Sequence, residues 1–472
     1  MVLIKIIPWT VTACAILAFA VWLRSDSSQL LSLRVPGTDR PASEPGLPGV
    51  PTPKLGTLTK SDGVPAEHLV GSWPRFRNAH IDGIGVEELP LTTEWGSEGP
   101  QVLWAIEVGE GHAGAAVLNG RVYLLDYDRQ KQADALRCLS LTDGKEIWQY
   151  SYPVKVKRNH GMSRTVPTVT DKYVVTLGPK CHVMCLDAKT GEFRWGLDLV
   201  NDFGATVPPW YASQCPLIDN GRAILAPGGR ALMIAVDCET GKIVWETPNP
   251  RGWSMTHSSI IPLDFAGRRM YVYCASGGVA GVSAEDGSIL WDTDAWKINV
   301  ACVATPVDVG NGRIFLSGGY EAGAMMLQLK QDGERITAKP LFRLAPKTFG
   351  SEQHTPIFYR GNIYGVRPDG QMVCLDTSGK VLWESGTGAR FPKGYGPWLI
   401  AGGKIFVMNG DDGTLSILEA TADGFHPLSQ AKVLQGHDCW GPMAMAAGRL
   451  IVRDLTTMIC LDVSPGQDKE TK

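Results

Sequence analysis

The stretch Cys185-Leu186-Asp187-Ala188-Lys189-Thr190-Gly191-Glu192-Phe193-Arg194-Trp195 decides the fold, because its pattern returns along the chain. It recurs as CLSLTDGKEIW ending at Trp148, AVDCETGKIVW at Trp245, GVSAEDGSILW at Trp291 and, shortened, CLDTSGKVLW at Trp383. A glycine stands four residues before each tryptophan, at Gly144, Gly191, Gly241, Gly287 and Gly379. Successive tryptophans lie 47, 50, 46 and 92 residues apart. The last interval is twice 46, so a degenerate repeat is expected between, with Asp332-Gly333 as its turn and Thr337 at the tryptophan position.

Each unit reads as β structure. An apolar strand such as His182–Leu186 runs into an Asp-x-x-Thr-Gly turn, where glycine accepts positive φ and Asp or Thr satisfies backbone groups locally. A short outer strand then ends in tryptophan. Two more strands precede it, as in Gln214–Ile218 and Ala223–Pro227 around Asn220-Gly221. Four strands per unit make one propeller blade, and the tryptophan would fill the gap between the outer edges of neighbouring blades.

The ends fix the count. Gly424 places a seventh site at Leu428, where the tryptophan is lost, and Cys460-Leu461-Asp462 opens an eighth unit whose outer strand is missing. Pro100-Gln101-Val102-Leu103-Trp104 supplies that strand, with Trp104 standing 44 residues before Trp148. Borrowing it removes two exposed sheet edges. The expectation is an all-β, eight-bladed propeller of four-stranded antiparallel blades over residues 71–463, closed by the N-terminal strand. Trp104, Trp148, Trp195, Trp245, Trp291 and Trp383 are its blade-packing residues. A polar tail follows at 464–472.

Composition agrees. The 472 residues include 54 Gly, 31 Pro and 15 Trp, which suits short strands and tight turns. Lys plus Arg total 45 against 48 Asp plus Glu, so no basic face is offered to nucleic acid. The cluster Lys155, Lys157 and Arg158 reads as solvated loop charge.

Residues 6–23, IIPWTVTACAILAFAVWL, carry no charge and are flanked by Lys5 and Arg24. Eighteen helical residues cover roughly 27 Å, about one bilayer core. Residues 1–24 are expected to be an export signal that stays as a membrane anchor. Cleavage after Ala18-Phe19-Ala20 and lipidation at Cys14 are the alternatives. Residues 25–70, rich in Ser, Pro and Gly, read as a disordered tether.

The motif Leu-Asp-x-x-Thr-Gly-x-x-x-Trp resembles the pyrroloquinoline-quinone-like (PQQ-like) propeller repeats of quinoprotein dehydrogenases and of BamB-type outer-membrane assembly lipoproteins. Trp73-Pro74-Arg75-Phe76-Arg77-Asn78, Ser317-Gly318-Gly319-Tyr320 and Cys439-Trp440-Gly441-Pro442 look like the membrane-anchored quinoprotein-like propellers of planctomycetes. The resemblance covers about Trp73 to Val463. A WD40 propeller would repeat Trp-Asp, which occurs here only at Trp291-Asp292.

Ligands of closed propellers bind where the inner-strand loops converge on the central funnel. The inner strands are marked by Pro167, Pro216, Pro306, Pro356, Pro397 and Pro442. His112, Arg164, Gln214, His257, His354, Tyr395 and Trp440 lie just before inner strands and form the candidate funnel-mouth site. The alternative, and the plainer reading, is that such residues cap strand ends and bond to water in the channel. The quinoprotein resemblance implies a cofactor, PQQ with Ca²⁺, for which Trp440 could be a planar floor and Arg164 an anion clamp. Vicinal cysteines and an acidic cluster are not evident, so no catalytic, cofactor or metal residue is assigned. Cys138, Cys185, Cys374 and Cys460 share one repeat position and read as small buried apolar residues.

The functional expectation is a membrane-tethered, periplasm-facing binding or assembly scaffold with protein partners in the cell envelope. The alternatives are a PQQ-dependent dehydrogenase of alcohols or sugars, and the sensor domain of a membrane complex.

Overall fold

The computed structural model of the chain describes Leu17, Phe19 and residues 52–85, 90–96, 98–388, 391 and 396–465. The expected anchor (apart from Leu17 and Phe19), the tether up to residue 51 and the tail beyond residue 465 lie outside the described residues. No helix among the described residues is long and apolar enough to cross a membrane.

Eight antiparallel sheets form the blades, and in six of them the strands follow the order of the chain. Their inner strands are Ala115–Leu118, Thr168–Val169, Leu217–Asp219, Ile261–Phe265, Val307–Gly310, Ile357–Tyr359, Trp398–Ala401 and Ala444–Ala446, for blades 1 to 8. Blade 8 continues through Arg449–Arg453 and Thr457–Asp462, and its outer strand is Val102–Glu107, with Trp104 opposite Cys460. Ring closure by the N-terminal strand is therefore as expected. One short helix, Leu199–Phe203, interrupts the β pattern, capped by the Asp198 carboxylate and by Gly204 in the left-handed region.

The recurring Gly and Trp work as a pair across the blade seam. Gly144, at φ 70, lies against the ring of Trp104 from the preceding blade, and a Cβ there would fall 2.9 Å from the indole. The same fit joins Trp148 to Gly191, Trp195 to Gly241 and Trp245 to Gly287. Each indole N–H then donates to the turn it covers: Trp104 to Leu141 O at 3.0 Å, Trp148 to Lys189 O at 3.1 Å and Trp195 to Cys238 O at 2.9 Å. One glycine thus serves the turn of its own blade and the packing of its neighbour, which is why the two residues recur together. The third-strand cysteines Cys138, Cys185, Cys374 and Cys460 sit opposite these tryptophans, fully buried.

Two repeat positions differ from expectation. In blade 5 the residue in register with the tryptophans is Phe342, not Thr337: it faces Met326 just before the bulge, and its ring lies 2.8 Å from a Cβ at Gly379. The hairpin Gly323–Asp332 to Arg335–Leu344 is longer than in other blades, which carries the seam residue away from the turn. In blade 7 the register places Ser429, not Leu428, at that site, and its hydroxyl accepts the Trp95 amide at 3.3 Å.

Part of the stretch read as tether is built into the propeller. Thr57–Lys60 adds a fifth strand to the outer edge of blade 1, from Thr57 opposite Ser151 to Lys60 opposite Trp148. The turn Thr52–Leu55 precedes it, and the Tyr150 hydroxyl donates to Pro53 O at 2.7 Å. Four residues are too few to show alternation in a Pro-rich background.

Residues 73–85 cross the central channel. Trp73 pairs with Val117 of blade 1, and Pro74 O accepts the Val169 amide of blade 2 at 2.8 Å. Arg75 donates to Ile218 O of blade 3 at 2.9 Å, Arg77 to Thr355 O and Pro356 O of blade 6 at 2.9 Å, and Gly85 to Ile400 O of blade 7 at 2.7 Å. The segment is a plug tied to inner strands around the ring.

Candidate functional site

At the entry to the inner strands of blades 2 to 6, the residue two before each strand builds a belt. The Val166 amide donates to Cys215 Sγ at 3.2 Å, the Cys215 amide to Ser259 Oγ at 3.0 Å, the Ser259 amide to Thr305 Oγ1 at 3.2 Å and the Thr305 amide to Thr355 Oγ1 at 2.9 Å. Each bond joins one blade to the next, from blade 2 to blade 6. Buried backbone donors at blade starts need partners, and a small polar side chain from the neighbour supplies one. The sequence signal was present in Cys215-Pro216, Thr305-Pro306 and Thr355-Pro356, where the residue before each proline carries the acceptor.

The funnel-mouth residues stand beside this belt, and four of the expected seven form a connected group. His112 stacks on Trp440, with ring centroids 5.0 Å apart and planes 27° apart. The His160 carbonyl ties His112 Nε2 (2.9 Å) to an Arg164 guanidinium nitrogen (2.7 Å). The charge of Arg164 reaches both His112 and His257, while Trp210 lies 6.4 Å from the His257 ring. His160, Trp210 and Tyr211, missed in the sequence, complete the surroundings; each has positive φ, a loop geometry that repeat alignment does not show.

The other three do not share this role. Gln214 is fully buried and turned back on its own blade, accepting from the Ala226 amide at 2.9 Å, as the strand-cap alternative has it. His354 belongs to blade 6, four blades round the ring from Arg164, with its carbonyl accepting the Ser351 hydroxyl. Tyr395 lies outside the described residues.

Electrostatically the group is cationic and largely buried. Burial lowers Arg164 to about 10, so it stays charged at neutral pH. Burial, then the Arg164 charge, lowers His257 to about 4; burial, then Arg164 and Arg453, holds His112 well below its ordinary value. Both imidazoles are therefore neutral at pH 7. Three buried nitrogens here, Arg164 Nε, His112 Nδ1 and His257 Nε2, have no hydrogen-bond partner among the described residues. His112 Nε2 faces a carbonyl and must carry the proton, which leaves Nδ1 as an acceptor. One donor cation and neutral acceptor nitrogens suit an anionic ligand that also bears hydroxyl or amide protons. Replacing Arg164 with Gln is expected to raise the pKa of both His257 and His112, because a positive neighbour that disfavours imidazolium is gone. NMR titration of the ring signals reads this directly.

A second buried group lies between blades 1 and 2. Asp134 is fully buried, receives the Tyr152 hydroxyl on Oδ2 at 2.8 Å and has no partner for Oδ1 among the described residues. Burial pushes its carboxyl up to about 7, opposed by the Tyr152 bond and reinforced by Asp126. His182 stands 3.5 Å from Asp198 and edge-on to Tyr152 beside it. In the unfolded chain Asp134 ionises near 4, so stability falls as pH rises from about 4 to 7 and levels off above. Asp134→Asn is expected to flatten that slope and to gain about 2–4 kcal/mol at pH 8 relative to pH 4. Urea midpoints at the two pH values check it.

Residues 132–376, half of the chain, match the family model of the outer membrane protein assembly factor BamB. The chain belongs to the PQQ-like β-propeller repeat family. BamB of Yersinia pestis is 20% identical over 300 residues, 53% of this chain and 74% of that protein. Quinohemoprotein alcohol dehydrogenase ADH IIB of Pseudomonas putida is 33% identical over 113 residues, 22% of this chain and 16% of the dehydrogenase. The chain thus aligns with about a sixth of that relative's length. The quinohemoprotein alcohol dehydrogenase structure from Comamonas testosteroni superposes with a TM-score of 0.58 at 12% identity, covering 85% of this chain and 82% of that one, and shows a shared fold.

The quinone cofactor that the family suggests fits this mouth only in part. Arg164 and the buried acceptor nitrogens suit its acidic groups, but His112 already covers one face of Trp440. Among the described residues no group of three or more His, Cys, Asp or Glu side chains could hold a metal ion. The donor set therefore fits an organic anion, and among the described residues no carboxylate cluster stands beside it for Ca²⁺.

Proposed function

We propose that this PQQ-like propeller is an extracytoplasmic binding or assembly scaffold, tethered to the membrane by residues 1–24 and docking envelope proteins on its blade edges. The observation that carries this reading is the added strand Thr57–Lys60: an outer blade edge of this propeller accepts an extended segment in antiparallel register. Other outer strands expose apolar side chains at their edges, among them Val244 and Leu341. Strand addition gives affinity through main-chain bonds and specificity through alternate side chains. The alignment over 74% of an assembly factor's length supports the same reading. A photo-crosslinking residue in place of Leu341 or Val244, in the full-length chain, is expected to give a discrete adduct with an envelope protein. Removing residues 1–24 is expected to release the chain from the membrane fraction.

A second reading, a PQQ-dependent dehydrogenase of alcohols or sugars, is favoured by Arg164, which has no carboxylate partner among the described residues. PQQ supplied with Ca²⁺ to the purified protein, followed by absorbance and dye reduction with an alcohol, separates the two. Stoichiometric binding with turnover, and no adduct from either edge, would sink the scaffold.

A further inference from the structure

We infer that Cys274 and Cys302 are a disulfide-forming pair that staples blade 4 to blade 5 beside His257. Cys274 lies near the end of the second strand of blade 4, Arg268–Ala275, and Cys302 in the loop leading to the inner strand of blade 5. Consecutive residues of a single loop hold their backbones: Thr256 Oγ1 donates to Cys274 O at 2.5 Å and the His257 amide to Cys302 O at 3.0 Å. Thr256 and His257 are adjacent, so one short stretch of loop anchors both cysteine carbonyls at the seam of blades 4 and 5. Both side chains enter one core cluster, exposed by 1% and 4%, and the neighbouring Cys302 thiol, then burial, push the Cys274 thiol well up from its ordinary range.

This arrangement sets them apart from the repeat cysteines. Cys138, Cys185, Cys374 and Cys460 come one to a blade and face an outer-strand tryptophan, which explains each of them by packing. Cys274 and Cys302 hold different repeat positions, in neighbouring blades, and meet.

Closure is an exchange with a disulfide oxidant, such as glutathione disulfide. One cysteine thiolate attacks the oxidant's sulfur and releases one thiolate; the second cysteine thiolate displaces the other. One S–S bond forms and one breaks, two electrons pass to the oxidant, and the two protons given up by the cysteines end on its thiols. Because both side chains are buried in the finished propeller, closure belongs to folding, as blade 5 comes onto blade 4 and before the core closes over the pair. The product fixes the loop that carries His257 at the funnel mouth.

The bond's presence in the cell rests on the extracytoplasmic reading, but its capacity to form does not, so two preparations of the full-length chain are compared. One is recovered from an oxidising compartment; the other, from a reducing one, is unfolded and refolded with glutathione disulfide. Each is trapped with N-ethylmaleimide in denaturant, digested and analysed by mass spectrometry. The expected result is a linked Cys274–Cys302 peptide pair in both, unlabelled until reduced and lost in Cys302→Ser. Both cysteines labelled without prior reduction in the two preparations, or Cys274 linked as readily to other cysteines, would overturn the proposal. A linked pair in a chain found only in the cytosol would leave the pairing standing and sink the extracytoplasmic reading.

Discussion

Arg453→Met is expected to destabilise the propeller by about 3–5 kcal/mol, because the guanidinium clasps the ring where its two ends meet. Arg453 ends the second strand of blade 8 and is 2% exposed. Its Nε donates to Asp454 O at 2.9 Å, one terminal nitrogen to Ala113 O at 3.3 Å, and the other to Gly109 O at 2.9 Å and Leu455 O at 2.8 Å. Gly109 and Ala113 lead into the inner strand of blade 1, so one side chain binds chain segments some 340 residues apart. Burial lowers its pKa to about 10, opposed by Asp126 and Asp454, and leaves it charged at neutral pH. Methionine would fill much of the volume but leave four carbonyls without this donor. Lysine keeps the charge without the planar fork and should fall between. Equilibrium denaturation of the three proteins checks the order, and a methionine variant within about 1 kcal/mol of the parent would remove the clasp from the account of ring closure.

The blades were legible because one glycine answers two demands at once, and such a residue tolerates little drift. Its partner tryptophan lies in the preceding blade, so the alignment of motifs was already a map of the seams. Where the hairpin lengthened, in blade 5, distance from the turn stopped reporting the seam and Phe342 took the place expected at Thr337. The site was half legible. Loops before inner strands converge by topology, so His112, Arg164, His257 and Trp440 could be named from position alone. Position could not separate them from Gln214, whose amide turns back to Ala226. Nor could it show that the His160 carbonyl, in an irregular loop, would link two of them. Contacts of the plug have no local signature, since Arg77 meets its acceptor 278 residues further on.

Arg77→Met is expected to cost as much as the clasp, about 3–5 kcal/mol, although Arg77 lies before the first blade. Its guanidinium is enclosed in the channel, 8% exposed, and among the described residues its acceptors are backbone carbonyls. Nε donates to Ile81 O at 3.2 Å, one terminal nitrogen to Thr355 O, and the other to Asp82 O and Pro356 O, each at 2.9 Å. Burial lowers the pKa to about 10, opposed by the Asp82 charge, so the guanidinium stays charged at neutral pH. Thr355 is also the last acceptor of the inter-blade belt. Losing Arg77 therefore unties the plug and frees the backbone at the residue where that belt ends. Hydrogen exchange should show it as lost protection at the Gly85 and Ile400 amides, which hold the plug against blade 7, and at the Thr305 amide in the belt. Removing residues 1–51 leaves every one of these bonds in place and should leave stability unchanged. If that truncation and Arg77→Met were equally mild, the channel segment would be a passive filling. A large loss for Arg77 alone makes it a structural member of the ring, bound to the end of the same belt that flanks the funnel mouth.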